Sequence, residues 1–394
     1  MELVTVTCEE GILTLAPHDR IDTNNAGEAE ALFEGALAEY PDAKVIIDAE
    51  DLNYISSAGL RVVLKVRKAR PDVQIINASS EVYDIFEMTG FTEMIPVSKA
   101  YRQISVEGCE VIGEGANGKV FRIDEDTIVK QFLNPGCLDD IQRERGLARK
   151  AFVLGVPTAI SYDVVKLKEG GYGAVYELIR TKSYGKLLAA DPSRLDDCIR
   201  KSVDIIKIMH NTEVKPEDMP DMREVGIDWA KYLEPHLPAD KFAKLLKLFE
   251  DVPERHTMLH GDYHVKNIMQ QGEEALLIDM DTLAQGNPVY EFGSIFNAYV
   301  GYHPYPQGEI NTFLGIPFAM CTEFWNKTLE YYFDTTDKAV LGDYEKKAQV
   351  VGYTRALRRG LRRNQQNDPE KAKDLEFFKA RLLELVDEVD SLAY

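Results

Sequence analysis

Cysteine is scarce in this sequence, and the few that occur are scattered along the chain. There are five in 394 residues, an odd number, and no two have the spacing of a metal-ligand pair. We therefore expect free thiols in a reducing compartment rather than a disulfide framework or a zinc centre. The cysteines are Cys8, Cys109, Cys137, Cys198 and Cys321.

Long apolar runs are missing too, and basic residues are in the minority. No stretch approaches the roughly 20 apolar residues of a membrane-spanning helix, and the N-terminus lacks the pattern of a secretory signal. Lysine and arginine number 46 against 66 aspartates and glutamates, which gives a net charge of −20. Nucleic-acid backbones and anionic membranes repel such a chain. We expect a cytoplasmic protein that binds neither nucleic acid nor membrane.

The rest of the composition is that of an ordinary globular protein, long enough for two or three domains. The first hundred residues alternate strands and helices in the order β-β-α-β-α-β-α, which predicts an α/β layer domain with a mainly parallel sheet. The pattern breaks near residues 97–105, where we place a domain boundary. From about residue 185 helical spacing dominates, and it predicts helices over 192–210, 226–250, 291–301, 309–333, 337–363 and 368–391.

One polar segment between apolar stretches carries the strongest chemical signal. Asp262 and Asn267 lie five residues apart in a predicted loop, and Asp279 follows the short apolar strand 275–278. Two carboxylates and an amide oxygen form an oxygen-rich set that suits a hard cation such as Mg²⁺. A carboxylate that does not bind the metal can orient or deprotonate a hydroxyl group. This is the arrangement that phosphoryl transfer requires.

A glycine-rich segment upstream has the spacing of a phosphate-binding loop. Residues 113–120 fit G-x-G-x-x-G-x-V. Strands are predicted on both sides, over 104–112 and 119–123, whereas a dinucleotide-binding fingerprint requires a following helix. The dinucleotide interpretation is therefore disfavoured. Lys130 on the next apolar strand and Glu144 on the following helix match the lysine–glutamate pair that kinases use at the nucleotide phosphates.

Together these segments resemble the aminoglycoside phosphotransferase/choline kinase superfamily, a branch of the protein-kinase-like fold, over about residues 108–365. The motif H-G-D-x-x-x-x-N followed by I-D-x-D runs from His260 to Asp281. The resemblance implies a bilobal kinase-like domain, with an N-lobe at 106–180 and a helical C-lobe at 181–394. It also implies ATP and Mg²⁺ as cofactors, and as acceptor a hydroxyl group of a small molecule such as an aminoglycoside, an amino alcohol or a sugar.

The resemblance further implies individual roles. Asp262 is the catalytic aspartate, His260 supports its loop, and Asn267 and Asp279 are the Mg²⁺ ligands. The implied nucleotide-binding residues are Gly113, Gly115, Gly118, Lys130, Glu144 and two hinge residues, Glu177 and Ile179.

Three further residues of this part of the chain are singled out. Glu291 stands where the family usually has an aspartate, so a carboxylate is retained. We expect structural roles for His210 and His264.

The segment 51–64 resembles the signature of the STAS domain, which is found in sulphate transporters and anti-sigma-factor antagonists, and the resemblance covers residues 1–100. It implies a regulatory module with a protein partner, and it aligns Ser57 with the serine that is phosphorylated in those antagonists. Ser56 stands where they usually have an acidic residue. A hydroxyl at a helix N-terminus lies beside N–H groups that can receive phosphate. Alternatively, Ser57 is only the N-cap of the helix.

Two alternatives to a small-molecule kinase stay open. In the first, the protein is a signalling protein whose kinase-like domain phosphorylates Ser57 or another protein. In the second, it is a nucleotide-binding scaffold without turnover.

Five arginines near the C-terminus are unusual in so acidic a chain. Their i, i+3, i+4, i+7, i+8 spacing puts them on one face of a helix. They could form salt bridges to acidic residues, or provide a platform for an anionic substrate group or for the N-terminal module. This arginine stripe consists of Arg355, Arg358, Arg359, Arg362 and Arg363.

Overall fold

The structure, a computed structural model, describes residues 2–114, 118–134, 137–179, 182–272, 274–306 and 308–394. Gly115 of the glycine-rich segment lies outside these ranges. The chain divides into two units, Met1–Ser105 with Val165–Lys168 and Val106–Val164 with Glu169–Tyr394. Among the described residues, no helix has both the length and the apolar character needed to cross a membrane. The five cysteines are all described, and all are free thiols.

Alternating strands and helices build the first unit. Its helices are α1 (Ala26–Glu39), α2 (Ser57–Ala69), α3 (Ser80–Met88) and α4 (Phe91–Met94). Its strands are β1 (Val4–Glu9), β2 (Ile12–Pro17), β3 (Asp19–Ile21), β4 (Lys44–Asp48), β5 (Leu52–Ile55), β6 (Gln74–Ala78), β7 (Val97–Lys99) and β8 (Arg102–Ile104).

The main sheet of this unit has the order β1-β2-β4-β6-β7. β1 and β2 form an antiparallel hairpin, and the other neighbours are parallel. Alternate residues of β4 enter the core, so Val45 and Ile47 are buried together with Phe33 of α1 and Val63 of α2. The predicted α/β layer domain with a mainly parallel sheet is confirmed.

Ser56, rather than Ser57, caps helix α2. Its Oγ accepts hydrogen bonds from the backbone N–H groups of Ala58 at 3.2 Å and Gly59 at 3.4 Å. Ser57 is the first helical residue, and its side chain is exposed. The N-cap interpretation of Ser57 is therefore wrong, because the cap position falls one residue earlier.

An antiparallel sheet opens the second unit. The strands of this region are β9 (Glu110–Glu114), β10 (Gly118–Arg122), β11 (Thr127–Phe132), β12 (Asp163–Leu167) and β13 (Tyr172–Glu177), with helix α5 (Leu138–Val153). The order β9-β10-β11-β13 is antiparallel throughout. The single strand predicted over 104–112 is wrong. The chain turns at Gly108, whose φ is +76°, and the N–H of Cys109 donates to the carbonyl of Val106 at 3.1 Å.

Helices dominate the rest of the second unit. They are α6 (Tyr184–Ala190), α7 (Leu195–Asn211), α8 (Met222–Tyr232), α9 (Ala239–Glu250), α10 (Val289–Phe296), α11 (Phe318–Phe333), α12 (Lys338–Arg362) and α13 (Pro369–Glu388). Short antiparallel pairs join β14 (Met258–Leu259) to β17 (Ala284–Gln285), β15 (Ile268–Gln271) to β16 (Glu274–Leu277), and β18 (Ile310–Asn311) to β19 (Ile316–Pro317).

Two helices of the C-terminal region differ from the prediction. The segment 226–250 is divided into α8 and α9, because Pro235 and Pro238 lack the N–H group that a continuing helix would donate. The helix predicted from residue 309 begins only at Phe318. The side chain of Asn311 accepts hydrogen bonds from two following N–H groups, both at 3.0 Å, and turns the chain into the β18–β19 hairpin.

Candidate active site

A cavity of about 1250 Å³ lies in the second unit. Most of the site residues that the sequence predicts are found in the lining of this cavity. His260 is the exception among the described ones of this unit, because it is fully buried and does not line the cavity. Those that do are Gly113, Gly118, Lys130, Glu144, Glu177, Ile179, Asp262, Asn267 and Asp279. The structure therefore brings together residues from both the sheet and the helical part of this unit.

Lys130 is the centre of an ionic network on one wall of the cavity. Its Nζ donates to Glu144 Oε1 at 2.8 Å and to Asp279 Oδ1 at 2.7 Å. The hydroxyl of Tyr176 donates to Glu144 at 3.3 Å. Burial by itself would lower the pKa of Lys130, but the carboxylates of Asp279 and Glu144 outweigh it and raise that pKa above its ordinary value. Lys130 is therefore a permanent cation held between two carboxylates.

The loop that carries Asp262 turns at Gly261 and is held in place by its neighbours. Gly261 has φ +79°, and a Cβ atom there would lie 2.5 Å from the carbonyl oxygen of Thr282, so only glycine fits. The ring of His260 lies 3.3 Å from the carbonyl of Ile278 through Nε2, and its Nδ1 accepts the N–H of Asp262 at 3.4 Å. His260 therefore ties this loop to the strand that leads into Asp279.

Glu291, in the first turn of α10, anchors the same loop through hydrogen bonds to its backbone. It is fully buried, and its carboxylate accepts the backbone N–H groups of His260 and Gly261, the latter at 3.1 Å. His210 lies 4.0 Å away through Nε2. Burial acts to raise the pKa of Glu291, but the nearby His210, the ring of His260 and the backbone N–H of Gly261 keep that pKa below its ordinary value. The position where the family usually has aspartate thus holds an ionised group that fixes the loop.

Asp262 faces the cavity and is paired with a histidine. Its Oδ2 lies 3.4 Å from His264 Nε2, and 43% of its side chain is exposed. Burial alone would raise the pKa of Asp262, but the hydrogen bond and charge of His264, together with the charge of Arg355, lower it to about 2. The carboxylate is therefore ionised at neutral pH. His264 contacts the carboxylate, a contact that the sequence analysis did not foresee.

Asn267 and Asp279 present oxygen atoms to the same space. The Nδ2 of Asn267 donates to the carbonyl of Asp262 at 3.0 Å, which leaves Oδ1 as the atom available to a ligand. Asp279 adopts a left-handed conformation, with φ 64° and ψ 62°, that aspartate tolerates better than most residues. Burial and the charge of Asp279 raise the pKa of Asp281 to about 6.

Arg355 joins helix α12 to the Asp262 loop. Its Nη1 donates to the carbonyl of Gly261 at 3.0 Å and to the hydroxyl of Ser294 at 2.8 Å, and Ser294 itself donates to that carbonyl at 2.9 Å. The sequence showed the arginine stripe but not this contact, and nothing in the sequence pointed to Ser294. All five arginines of the stripe line the cavity.

Comparison with known families identifies both parts of the chain. The pattern of the phosphotransferase enzyme family matches residues 108–314. The chain belongs to this family. Residues 4–104 of this phosphotransferase match the STAS domain. Over 95 residues the chain is 34% identical to BtrV of Bordetella bronchiseptica, which is named as an anti-sigma factor antagonist; the match covers 23% of this chain and 81% of BtrV.

Solved structures with a similar fold are aminoglycoside phosphotransferases. A thermostable mutant of APH(4)-Ia, in a ternary complex with ADP and hygromycin B, is 13% identical with a TM-score of 0.51, over 78% of this chain and 98% of that one. The GDP complex of an aminoglycoside 2'-phosphotransferase-IIIa mutant is 15% identical to this chain, with a TM-score of 0.50. The match covers 76% of this chain and 96% of that one. At these identities the likeness shows the fold alone, and it confirms the predicted kinase-like fold of this phosphotransferase.

Proposed function

We propose that this phosphotransferase transfers the γ-phosphoryl group of ATP to a hydroxyl group of a small molecule. One observation carries the proposal: a single cavity joins the Lys130 network to an ionised Asp262 and to the free oxygen of Asn267. Family membership supports phosphoryl transfer, and the structures of similar fold that contain ADP or GDP support a nucleotide as the donor.

The nucleotide would bind at the end of the cavity nearest the sheet. Lys130 contacts its phosphates, and Glu144 holds the lysine in position. Gly113 and Gly118 line the cavity beside the phosphates, while the segment with Glu177 and Ile179 provides backbone groups for the base.

Asn267 and Asp279 fit a magnesium ion, because Asn267 brings an uncharged amide oxygen and Asp279 an anionic carboxylate oxygen to the cavity beside the Lys130 network. Bound Mg²⁺ supplies positive charge that neutralises the β- and γ-phosphate oxygens. The hydrogen bond from Asn267 to Asp262 links the proposed metal ligand to the proposed catalytic residue.

Asp262 would act on the acceptor. Its carboxylate accepts a hydrogen bond from the acceptor hydroxyl and directs that oxygen at the γ-phosphorus. The new P–O bond forms as the bond to the β–γ bridging oxygen breaks, the electron pair leaves with ADP, and the hydroxyl proton passes to Asp262. Because the pKa of Asp262 is about 2, the residue is a weak base, and its main contribution is orientation.

The experiment compares ADP release by the wild type and by Asp262→Ala with a panel of aminoglycosides, amino alcohols and sugars. We expect acceptor-dependent turnover with Mg²⁺ that Asp262→Ala abolishes. Asp251→Ala removes an aspartate that forms an ion pair with Lys247 of helix α9 and does not line the cavity, and it should leave turnover unchanged. Binding of ATP without turnover under any condition would contradict the proposal and favour a nucleotide-binding scaffold.

A signalling role is the second candidate, and the exposure of Ser57 favours it. The hydroxyl of Ser56 is engaged by the end of helix α2, whereas Ser57 projects from its first turn. Under this hypothesis the kinase-like domain phosphorylates Ser57, and the added charge changes which protein partner the STAS surface binds.

Mass spectrometry after incubation with ATP tests this second candidate. Ser80 offers a matched control, because it is also exposed, also the first residue of a helix and also preceded by a capping serine. Phosphate on Ser57 and not on Ser80, lost in Asp262→Ala, would support the signalling role. An unchanged mass would contradict it.

A further inference from the structure

The wall of the cavity next to Asp262 is strongly basic. Helix α12 contributes four arginines of the stripe to it and its C-cap residue Arg363 the fifth, and Lys266 and Lys371 line the same space. The stripe begins at the Asp262 loop, because Arg355 donates to the carbonyl of Gly261. With a rise of 1.5 Å per residue, Arg362 lies about 10 Å further along the helix axis. The basic surface therefore leads from the proposed site of reaction towards the far end of the cavity.

Salt bridges do not account for the stripe. Across the described ranges, none of its five arginines has a carboxylate oxygen within 4.0 Å, so the salt-bridge interpretation of the sequence is wrong. Acidic residues do act on the stripe from greater distances: Asp262 interacts with the charge of Arg355 and Asp228 with that of Arg358, and Asp374 lines the same cavity.

Aromatic rings hold three of the guanidinium groups without neutralising them. Arg355 lies over Trp229 at 5.5 Å, and Arg358 and Arg359 lie over the rings of Tyr232 and Tyr302, both at 5.7 Å. Such contacts orient a cation and leave its charge in place.

The arginines of the stripe also act on one another. Burial and the neighbouring charge of Arg362 lower the pKa of Arg358. The Nε of Arg358 is buried and has no hydrogen-bond partner in the part of the chain that the structure describes. A buried polar group without a partner is uncommon in native proteins and calls for a ligand, a water or an ion. A phosphate at this wall would offset the positive charge that the stripe concentrates there.

We propose that the acceptor is a small alcohol that carries a phosphate ester, with its hydroxyl at Asp262 and its phosphate on the arginine stripe. This inference rests on the proposed function of the same site. The guanidinium fork matches phosphate oxygens two at a time, which makes arginine the preferred residue for phosphate recognition. A polycationic acceptor of the aminoglycoside class would instead be repelled by this wall.

The first measurement compares kcat/KM for glycerol phosphate, a pentose phosphate and a hexose phosphate with the values for their unphosphorylated parents. We expect at least one phosphate ester to exceed its parent by tenfold or more. Turnover that favours neutral or cationic acceptors, and that Asp262→Ala abolishes, would overturn this inference while the proposed function stands.

Variants of the stripe provide the second measurement. Arg359→Gln and Arg362→Gln should each raise the KM of the phosphate ester by roughly tenfold, since each removes a charge-assisted contact, and should leave the KM of ATP unchanged. Arg381→Gln is the matched control, because Arg381 is outside the cavity and pairs with Glu384. Equal effects of all three substitutions would overturn the inference.

Binding provides a readout that does not depend on turnover. Calorimetry with Asp262→Ala in the presence of ADP should detect the phosphate ester, with affinity lost in Arg362→Gln and kept in Arg381→Gln. Binding of this kind without turnover by the wild type would support the anion site and contradict the proposed function. Absence of binding by every phosphate ester would overturn the anion site.

Discussion

Replacing Lys130 by methionine should destabilise the second unit more than replacing its partner Glu144 by glutamine. Methionine keeps most of the apolar stem but removes the ammonium group, which lies 2.8 Å from Glu144 and 2.7 Å from Asp279. The two carboxylates then remain without the cation that lies between them. Because the side chain of Glu144 is only 5% exposed, water can do little to compensate.

The expected magnitude follows from the burial of each partner. Removing one member of a buried ion pair costs about 3–5 kcal/mol. Asp279 is 38% exposed, so solvent offsets part of the loss, and we expect about 2–4 kcal/mol for Lys130→Met. Glu144→Gln keeps the contact between Lys130 and Asp279, and it should cost about 1–2 kcal/mol. The free energy of unfolding of the double variant should fall by about 1–2 kcal/mol less than the sum of the losses in the two single variants.

The assay is urea unfolding followed by tryptophan fluorescence. Both tryptophans of the sequence, Trp229 and Trp325, belong to the second unit, so the signal reports on that unit alone. The free energy of unfolding is obtained by linear extrapolation to water. Lys247→Met is the control, because Lys247 pairs with Asp251 on the exposed face of α9 and its removal should have no measurable effect.

Two results would refute the reasoning about Lys130. One is a decrease in the free energy of unfolding for Lys130→Met that is no larger than the decrease for Glu144→Gln. The other is strict additivity in the double variant, since groups that share an ionic network should be coupled.

Three further predictions concern the loop of Asp262 and its supports. Gly261→Ala should lower both stability and turnover, because its Cβ would lie 2.5 Å from the carbonyl oxygen of Thr282; urea unfolding and ADP release at wild-type levels would contradict this. Ser294→Ala removes the hydroxyl between Arg355 and the loop, and it should reduce kcat several-fold without changing the KM of ATP, as steady-state kinetics would show. Burial lowers the pKa of His210, so below the ordinary histidine pKa of 6.5 the unfolded chain binds a proton that the folded chain does not. Stability should therefore fall as the pH falls through about 6.5, and His210→Gln should reduce that slope in unfolding curves measured across this range.

Some elements could be predicted because their cause is local. The strand β4 is predicted by its short apolar run, residues 45–47, which stands between the charged residues Lys44 and Asp48. Other elements could not. The division of 226–250 needed the two prolines to be weighed above the helical spacing of the apolar residues. The cap of α2 depended on a one-residue shift between Ser56 and Ser57, which spacing does not resolve.

The sequence by itself determined the family, the two-part organisation and the motif that runs from His260 to Asp281. These depend on residue type and on spacing within short segments, where the backbone sets the geometry. Only the tertiary structure decided that Lys130 meets Asp279, 149 positions away, and that Arg355 meets Gly261, 94 positions away. Such contacts depend on how separate elements pack together. For the same reason, only the folded chain shows that the arginines of the stripe have no carboxylate oxygen within 4.0 Å among the described residues.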